Sequence, residues 1–215
     1  MQVDTAIAVI ISFLAYMVVF NLTTALVGAL FRIPIERVQF GYVLSIRLFR
    51  IGATEVRVSP LLLGGYVKFA SPADPEQPYA PWPVRCIIAL AGALTALALS
   101  AVVLGEHTIH EALMAWPQMW TAAADFATPF NPAAALDPWI AAGGYPAAAA
   151  VVAVKVAMFN LLPLPFLNGG AFLISLWEGL TGRYRPDRLQ GLMTLSLAVA
   201  VAFVLMLVVR LVAGF

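Results

Sequence analysis

The sequence predicts a membrane protein with an all-α core of four transmembrane helices and a small β-strand insertion after the first helix. The chain is 62% hydrophobic and 11% charged, whereas soluble domains carry about 25% charged residues. Its apolar residues form four long runs, each able to cross ~30 Å of hydrocarbon. Between the first two runs, residues 43–48 and 54–58 alternate polar and apolar positions, which is the strand period. We treat residues 1–215 as one membrane domain.

The first apolar run, residues 6–31, is predicted to be the first transmembrane helix. Its polar interruptions, Asn21, Thr23 and Thr24, fall roughly on one side of a helix. They either hydrogen-bond to a neighbouring helix or to their own backbone, or contact a ligand directly. The first interpretation is favoured because polar side chains commonly join membrane helices.

Residues 33–70 change character, since charges appear among β-branched and aromatic side chains. We expect a small, twisted set of strands at the membrane face or dipping into it, with glycines as turns or bulges. Residues 71–83 contain five prolines and are predicted to be a linker without helix or sheet.

The second apolar run, residues 84–104, is rich in small side chains that let helices approach closely. Residues 105–145 then form a predicted outer loop without Lys or Arg. Its residues 107–116 are expected to make an amphipathic helix in the membrane interface. Trp116, Trp120 and Trp139 are its expected contacts at headgroup depth.

The third run, residues 147–177, is predicted to be a broken transmembrane helix. It contains two prolines, two asparagines and two adjacent glycines between residues 160 and 170. Proline interrupts the helical hydrogen bonds, and in hydrocarbon the freed carbonyl groups need partners within the protein. The break therefore predicts a polar site inside the membrane. The fourth run, residues 189–209, is uniformly apolar.

The distribution of basic residues predicts the orientation. Ten of the 12 Lys and Arg residues lie in segments 32–85 and 183–188, on one predicted side. The positive-inside rule makes that side cytoplasmic and places both termini outside. We expect the membrane to be a bacterial inner membrane. The net charge of +1 gives no case for a nucleic-acid partner.

A family resemblance rests on three segments. Residues 160–170 read N-L-L-P-L-P-F-L-N-G-G, which resembles the N-x-x-P-x-P-x-x-D-G-G signature of the site-2 protease (M50) family of intramembrane zinc metalloproteases. Residues 61–69 resemble the β-loop that follows the first helix in that family, and residues 91–96 resemble its A-G-P-L-x-N run. The PDZ-like domain of many members is expected to be absent, with residues 105–145 in its place.

The chain departs from the family at the positions that matter chemically. By the resemblance, the family's H-E-x-x-H falls on residues 20–24, where Phe20, Asn21 and Thr24 replace both zinc histidines and the glutamate base. Asn168 replaces the zinc-binding aspartate. Catalytic zinc needs about three ligands from His, carboxylate or thiolate. We therefore expect no metal, no cofactor and no enzymatic activity.

Three other titratable positions have open interpretations. His107 and His110, at i and i+3, could bind a metal or face lipid headgroups, which is favoured. Lys155 lies inside the third run, where it either extends toward the outer headgroups or pairs with an acid of a partner subunit. Glu178 is expected in solvent or paired with Arg183 or Arg185.

The resulting hypothesis is a non-enzymatic pseudoprotease, acting as a binding scaffold or accessory subunit of a larger hetero-oligomeric membrane complex. It would contact lipid and hold transmembrane helices of other membrane proteins. The expected binding cleft is lined by Asn21, Thr23, Thr24, Asn160, Asn168, Gly64, Gly65 and Tyr66. The alternative is an intramembrane metalloprotease with unusual or partner-donated ligands. A transporter is ranked last because it predicts paired broken helices, and the sequence contains one.

Overall fold

The computed structural model describes residues 3–41, 44–60, 64–70, 72, 77–125, 131–183 and 186–213. These residues are mostly helical, with a four-stranded sheet between the first two helices. The predicted helical core with a β insertion is thereby confirmed. The elements are α1 (Val3–Leu30), β1 (Ile35–Phe40), β2 (Ile46–Ile51), β3 (Thr54–Val58), β4 (Gly65–Phe69), α2 (Trp82–Leu104), α3 (His107–Ala124), α4 (Pro132–Asn160), α5 (Asn168–Thr181) and α6 (Pro186–Ala213).

Three helical segments within the described residues are long and apolar enough to cross a membrane. They are Val9–Leu30, Trp82–Leu104 and Ala134–Asn160. Helix α6 contributes a shorter apolar stretch, Met193–Phe203. The fourth crossing of the predicted topology therefore stays a prediction.

Helix α1 buries its polar side and exposes apolar side chains. Its buried residues recur at helical spacing: Ser12, Tyr16, Met17, Phe20, Asn21, Thr24 and Gly28. The other side presents exposed Ile11, Leu22 and Leu26. A helix that is apolar all round is typical of a membrane span. The buried face of α1 therefore carries polar side chains beside Tyr16, Met17 and Phe20, whereas the exposed face is aliphatic.

The core that positions the site lies where α1, α2 and α4 meet. Tyr16, Phe20, Ala93, Ala96 and Ala157 form one buried cluster there. The Phe20 ring packs on Gly92 of α2, where a Cβ would lie 2.6 Å from Phe20 Cδ2. Small residues on α2 thus make room for the large side chain on α1.

Helix α4 bends at Gly144, whose φ of 70° and ψ of −168° are not helical. Pro138 and Pro146 flank the bend on either side. Pro146 cannot donate a backbone hydrogen bond, and glycine accepts a positive φ at no steric cost. The helix therefore changes direction within its membrane-compatible segment Ala134–Asn160.

Residues 161–167 separate α4 from α5 and carry no helix. Gly169 and Gly170 allow α5 to start directly against this segment, since a Cβ at either would overlap the carbonyl oxygen of Leu161 or Leu164. The segment is also tied to α6, because the Phe166 backbone N–H donates to Ser196 Oγ at 3.3 Å.

The sheet has the strand order β2-β3-β1-β4. Strands β1 and β3 are parallel, whereas the β1–β4 and β2–β3 pairs are antiparallel. Strand β4 lies against α1, with the Phe69 ring packed over Gly28. This packing sets one edge of the sheet beside the first membrane helix.

Candidate functional site

The polar residues of α1 are buried and bonded within their own helix. Asn21 is 1% exposed and donates from Nδ2 to the Met17 carbonyl oxygen at 2.9 Å. Thr24 Oγ1 donates to the Phe20 carbonyl oxygen at 2.8 Å. Both are side-chain bonds to the preceding turn. Thr23, beside them, is half-buried.

Strand β4 reaches the site through Gly65. A Cβ at Gly65 would lie 2.6 Å from Asn21 Nδ2 and 2.5 Å from the Gln39 carbonyl oxygen. Such distances are shorter than real side chains show. Glycine is therefore required for β4 to approach α1 at Asn21. Gly64, one residue earlier, has a φ of 85°, which also favours glycine.

Tyr66 organises the other face of β4. Its hydroxyl donates to Gln39 Oε1 at 3.1 Å. A hydrogen bond between Tyr66 and the Arg37 side chain raises the pKa of Arg37 above its usual value. Arg37 is therefore held as a cation on the sheet surface.

Asn160 and Asn168 join helices across the break between α4 and α5. Asn160 Nδ2 donates to Tyr16 Oη at 3.0 Å and to the Val156 carbonyl oxygen at 3.1 Å. Asn168 Nδ2 donates to the Ala89 carbonyl oxygen of α2 at 2.8 Å. The structure thus brings Asn160 to α1, Asn168 to α2 and Gly65 to Asn21.

The predicted tryptophan contacts occupy different environments. Trp116 stacks on Phe159 with ring centroids 6.2 Å apart, and Phe203 of α6 completes this aromatic group. Trp139 meets His107 edge to face at 5.8 Å. Trp120 is 62% exposed. Trp116 therefore packs against the C-terminal end of α4 and against α6.

The structure contains two ion pairs that the sequence did not predict, one buried and one partly buried. Lys155 Nζ contacts the Glu111 carboxylate, so Lys155 pairs within this chain and not with headgroups or a partner subunit. Arg85 Nη2 lies 2.6 Å from Glu178 Oε2, with both side chains under 10% exposed. The expectation that Glu178 is solvated or paired with Arg183 or Arg185 is therefore wrong.

Fold and site together define a helical membrane protein with a small sheet beside its first membrane helix. The chain belongs to peptidase family M50, whose family model matches residues 8–207. This confirms the resemblance seen in the sequence and, since the family is membrane-embedded, the assignment to a membrane.

Two curated relatives are similar over a short segment. One, named "Putative zinc metalloprotease all3971", from Nostoc sp. (strain PCC 7120 / SAG 25.82 / UTEX 2576), is 38% identical over 63 residues. The other, named "Putative zinc metalloprotease slr1821", from Synechocystis sp. (strain ATCC 27184 / PCC 6803 / Kazusa), is 37% identical over 62 residues. The matches cover 29% and 28% of this chain and 17% of each relative.

The expectation that the chain is not an enzyme is overturned by these findings. Family M50 is a peptidase family, and both relatives are named as zinc metalloproteases. The expectation rested on the residue types at four aligned positions. Those residue types show only whether four side chains could bind zinc, whereas the family match extends over almost the whole chain.

The side chains at the aligned positions do not fit a zinc ion. Asn21, Thr24 and Asn168 each use an N–H or O–H group to bond a helix carbonyl oxygen, and Phe20 has no donor atom. Zinc is bound by neutral imidazole, by thiolate or by carboxylate groups. Across the described parts of the chain, no group of three or more His, Cys, Asp or Glu residues is arranged to hold a metal. Zinc in this protein would need other ligands.

Proposed function

We propose that this chain is the part of an intramembrane protease that holds a transmembrane segment of its substrate along strand β4. An extended segment can add to an exposed sheet edge through main-chain hydrogen bonds. In the described sheet β4 is a terminal strand, bonded on one side to β1. The unwound part of a substrate would lie beside Gly64, Gly65 and Tyr66.

The observation that carries the proposal is the contact between Gly65 and Asn21. It sets the sheet edge against α1 within the membrane-compatible segment Val9–Leu30. Asn160 and Asn168 lie at the ends of α4 and α5, around the non-helical residues 161–167. With Thr23 and Thr24 they would line the remaining sides of the binding cleft.

The proposal also concerns the source of the zinc ligands and the complex in which the chain acts. Because the four aligned side chains do not fit zinc, metal ligands would come from a partner chain in a hetero-oligomeric complex. The chain's own residues would bind and orient the substrate segment and exclude lipid from it. We further propose that α6 makes a fourth crossing, that residues 161–167 lie at mid-depth, and that the sheet faces the bacterial cytoplasm.

Site-specific photo-crosslinking tests substrate binding. A photoreactive amino acid at Val67 in β4 is compared with one at Val102, which is 84% exposed on α2. Two single-span peptides are supplied in proteoliposomes, one with Gly-Pro at its centre and one with Leu-Leu. We expect crosslinks at Val67 with the Gly-Pro peptide, because its helix unwinds more readily. Equal crosslinking at Val102, or of both peptides, would count against binding at β4.

Cleavage is measured separately from binding. The same proteoliposomes are analysed by mass spectrometry for peptide fragments, and the purified complex is analysed for zinc content. We expect fragments and about one zinc per complex when the native partner is present. Substrate binding without a metal-dependent fragment in the intact complex would contradict the protease assignment while leaving the holding role intact.

A further inference from the structure

The register of β2 on β3 sorts the side chains of this hairpin into two faces. Residues paired across strands lie on the same side of a sheet. One face therefore carries the pairs Ile46–Val58, Phe49–Val56 and Ile51–Thr54, and the other carries Arg47–Arg57 and Arg50–Glu55.

A register shift between Arg47 and Phe49 makes this segregation possible. Leu48 is the extra residue of the irregularity. In a regular strand, side chains alternate, so Phe49 would share a face with Arg47, and Arg50 would share a face with Ile46. The bulge reverses the alternation. It therefore keeps both arginines on one side and the large apolar side chains on the other.

The arginine face has more positive charge than its own acid can neutralise. Glu55 Oε2 lies 3.3 Å from Arg57 Nε and 4.0 Å from Arg37 Nε, and Glu55 Oε1 lies 3.8 Å from Arg47 Nη1. Arg50 is directly opposite Glu55, and Arg47 is directly opposite Arg57. Like charges paired across strands are unfavourable. An anion bound among these guanidinium groups would relieve that repulsion, and their planar forks match phosphate oxygens.

The apolar face is exposed where it reaches β2. Ile46, Phe49 and Ile51 are 63%, 52% and 66% exposed. Exposed apolar side chains on an edge strand promote aggregation in water. An element with one apolar and one basic face is instead suited to the membrane interface, with the apolar side toward acyl chains and the cations among the headgroups.

We propose that the β2–β3 hairpin is a binding site for anionic phospholipid, with the arginine cluster Arg37, Arg47, Arg50 and Arg57 contacting headgroup phosphate. Charge complementarity favours an anionic over a zwitterionic phospholipid, because a zwitterionic headgroup carries a cation that the arginine cluster would repel. The apolar face indicates that the bound phosphate belongs to a lipid in a bilayer, since binding of a soluble anion would leave Ile46, Phe49 and Ile51 in water.

Lipid binding to the full chain in detergent tests the headgroup preference. Native mass spectrometry measures the binding of phosphatidylglycerol and phosphatidylcholine. The double variant Arg47→Gln/Arg50→Gln should bind phosphatidylglycerol about twenty-five-fold more weakly, at roughly fivefold per arginine, with phosphatidylcholine unaffected. Glu55→Gln should strengthen phosphatidylglycerol binding. The matched control is Lys68→Gln, since Lys68 lies on the same sheet but is paired with Glu36 at 2.7 Å.

Three results would overturn the assignment. An equal loss in the Lys68→Gln variant would show a general charge effect. Equal affinity for the two lipids would exclude headgroup selection. Displacement of phosphatidylglycerol by inorganic phosphate at equal concentration would show a soluble-anion site and not a lipid site.

Depth measurements test the apolar face independently. In a Cys86→Ala background, a polarity-sensitive fluorophore is placed at Ile51→Cys or at Lys68→Cys in vesicles of phosphatidylglycerol and phosphatidylcholine. Lipids brominated on their acyl chains should quench the label at position 51 and not at position 68. Solvent-like emission without quenching at both positions would contradict membrane docking of the hairpin.

Discussion

Lys155 of α4 donates to the Glu111 carboxylate and, at 3.0 Å, to the Glu111 backbone carbonyl oxygen. One lysine thus fixes both the side chain and the main chain of α3. The two residues lie 44 positions apart. The pair is partly withdrawn from water, with side-chain exposures of 18% for Lys155 and 9% for Glu111. Helix α3 is therefore held to α4 at a point five residues before Asn160.

Removing one member of this pair should destabilise the protein more than removing both. Lys155→Met leaves a buried carboxylate without its cation, which costs about 3–5 kcal/mol. The double variant Lys155→Met/Glu111→Leu removes both charges and should recover most of that loss. Thermal unfolding in detergent measures each variant. A double variant less stable than Lys155→Met would contradict this account.

Gly65→Ala should destabilise the contact between β4 and α1 by about 1–3 kcal/mol, the usual range for overpacking. The added methyl group would meet the Gln39 carbonyl oxygen and the Asn21 amide. The control is Gly191→Ala, because nothing lies within 4 Å of a Cβ at Gly191. That change in α6 should be neutral or stabilising. Equal unfolding temperatures for the two variants would refute the close approach.

Phe20 and Gly92 should be energetically coupled. Phe20→Ala leaves a cavity and should cost about 3–5 kcal/mol. Gly92→Ala alone should also destabilise, because its Cβ would overlap the Phe20 ring. In the Phe20→Ala background the same substitution should cost little, since the ring is gone. A double-mutant cycle on unfolding free energies measures the coupling, and additive effects would argue against the contact.

Asn168→Asp restores the family's residue type at one position and should still be unfavourable. The Asn168 amide donates to the Ala89 carbonyl oxygen. A carboxylate has no hydrogen to donate, so its oxygen would face the Ala89 carbonyl oxygen, which is also an acceptor. We expect a loss of about 1–3 kcal/mol, the cost of a buried group without a partner. Unfolding is compared with and without added zinc. A rise in unfolding temperature produced by zinc would show that one carboxylate suffices to build a metal site.

The sequence predicted the structure correctly where the residue pattern of one segment determines it. The strand period identified β3 at Thr54–Val58, and the polar residues of α1 indicated its buried face. Residues 46–51 were harder to place, because the bulge at Leu48 interrupts their alternation. The Asn-Pro-Gly segment revealed the family through its residue order, which is local information.

The ion pairs could not be predicted because each joins residues far apart in the chain. A lysine inside an apolar run indicates that a partner exists, yet only the packing of α3 on α4 identifies Glu111. Arg85 was only one of the basic residues counted for the orientation, and its pairing with Glu178 depends on the packing of α5 on α2. The expectation that the chain is not an enzyme was wrong for a different reason, because it rested on four residue types whereas the family pattern extends over residues 8–207.

The internal bonds of Asn21 and Thr24 also bear on biogenesis. The Asn21 amide N–H and the Thr24 hydroxyl are satisfied by the preceding turn, which lowers the cost of placing α1 in lipid before its neighbours are synthesised, whereas Asn21 Oδ1 has no hydrogen-bond partner among the described residues. The second half of α4 differs, because its ammonium group requires a carboxylate supplied by α3. Insertion of that segment should therefore be more favourable once α3 has packed against it.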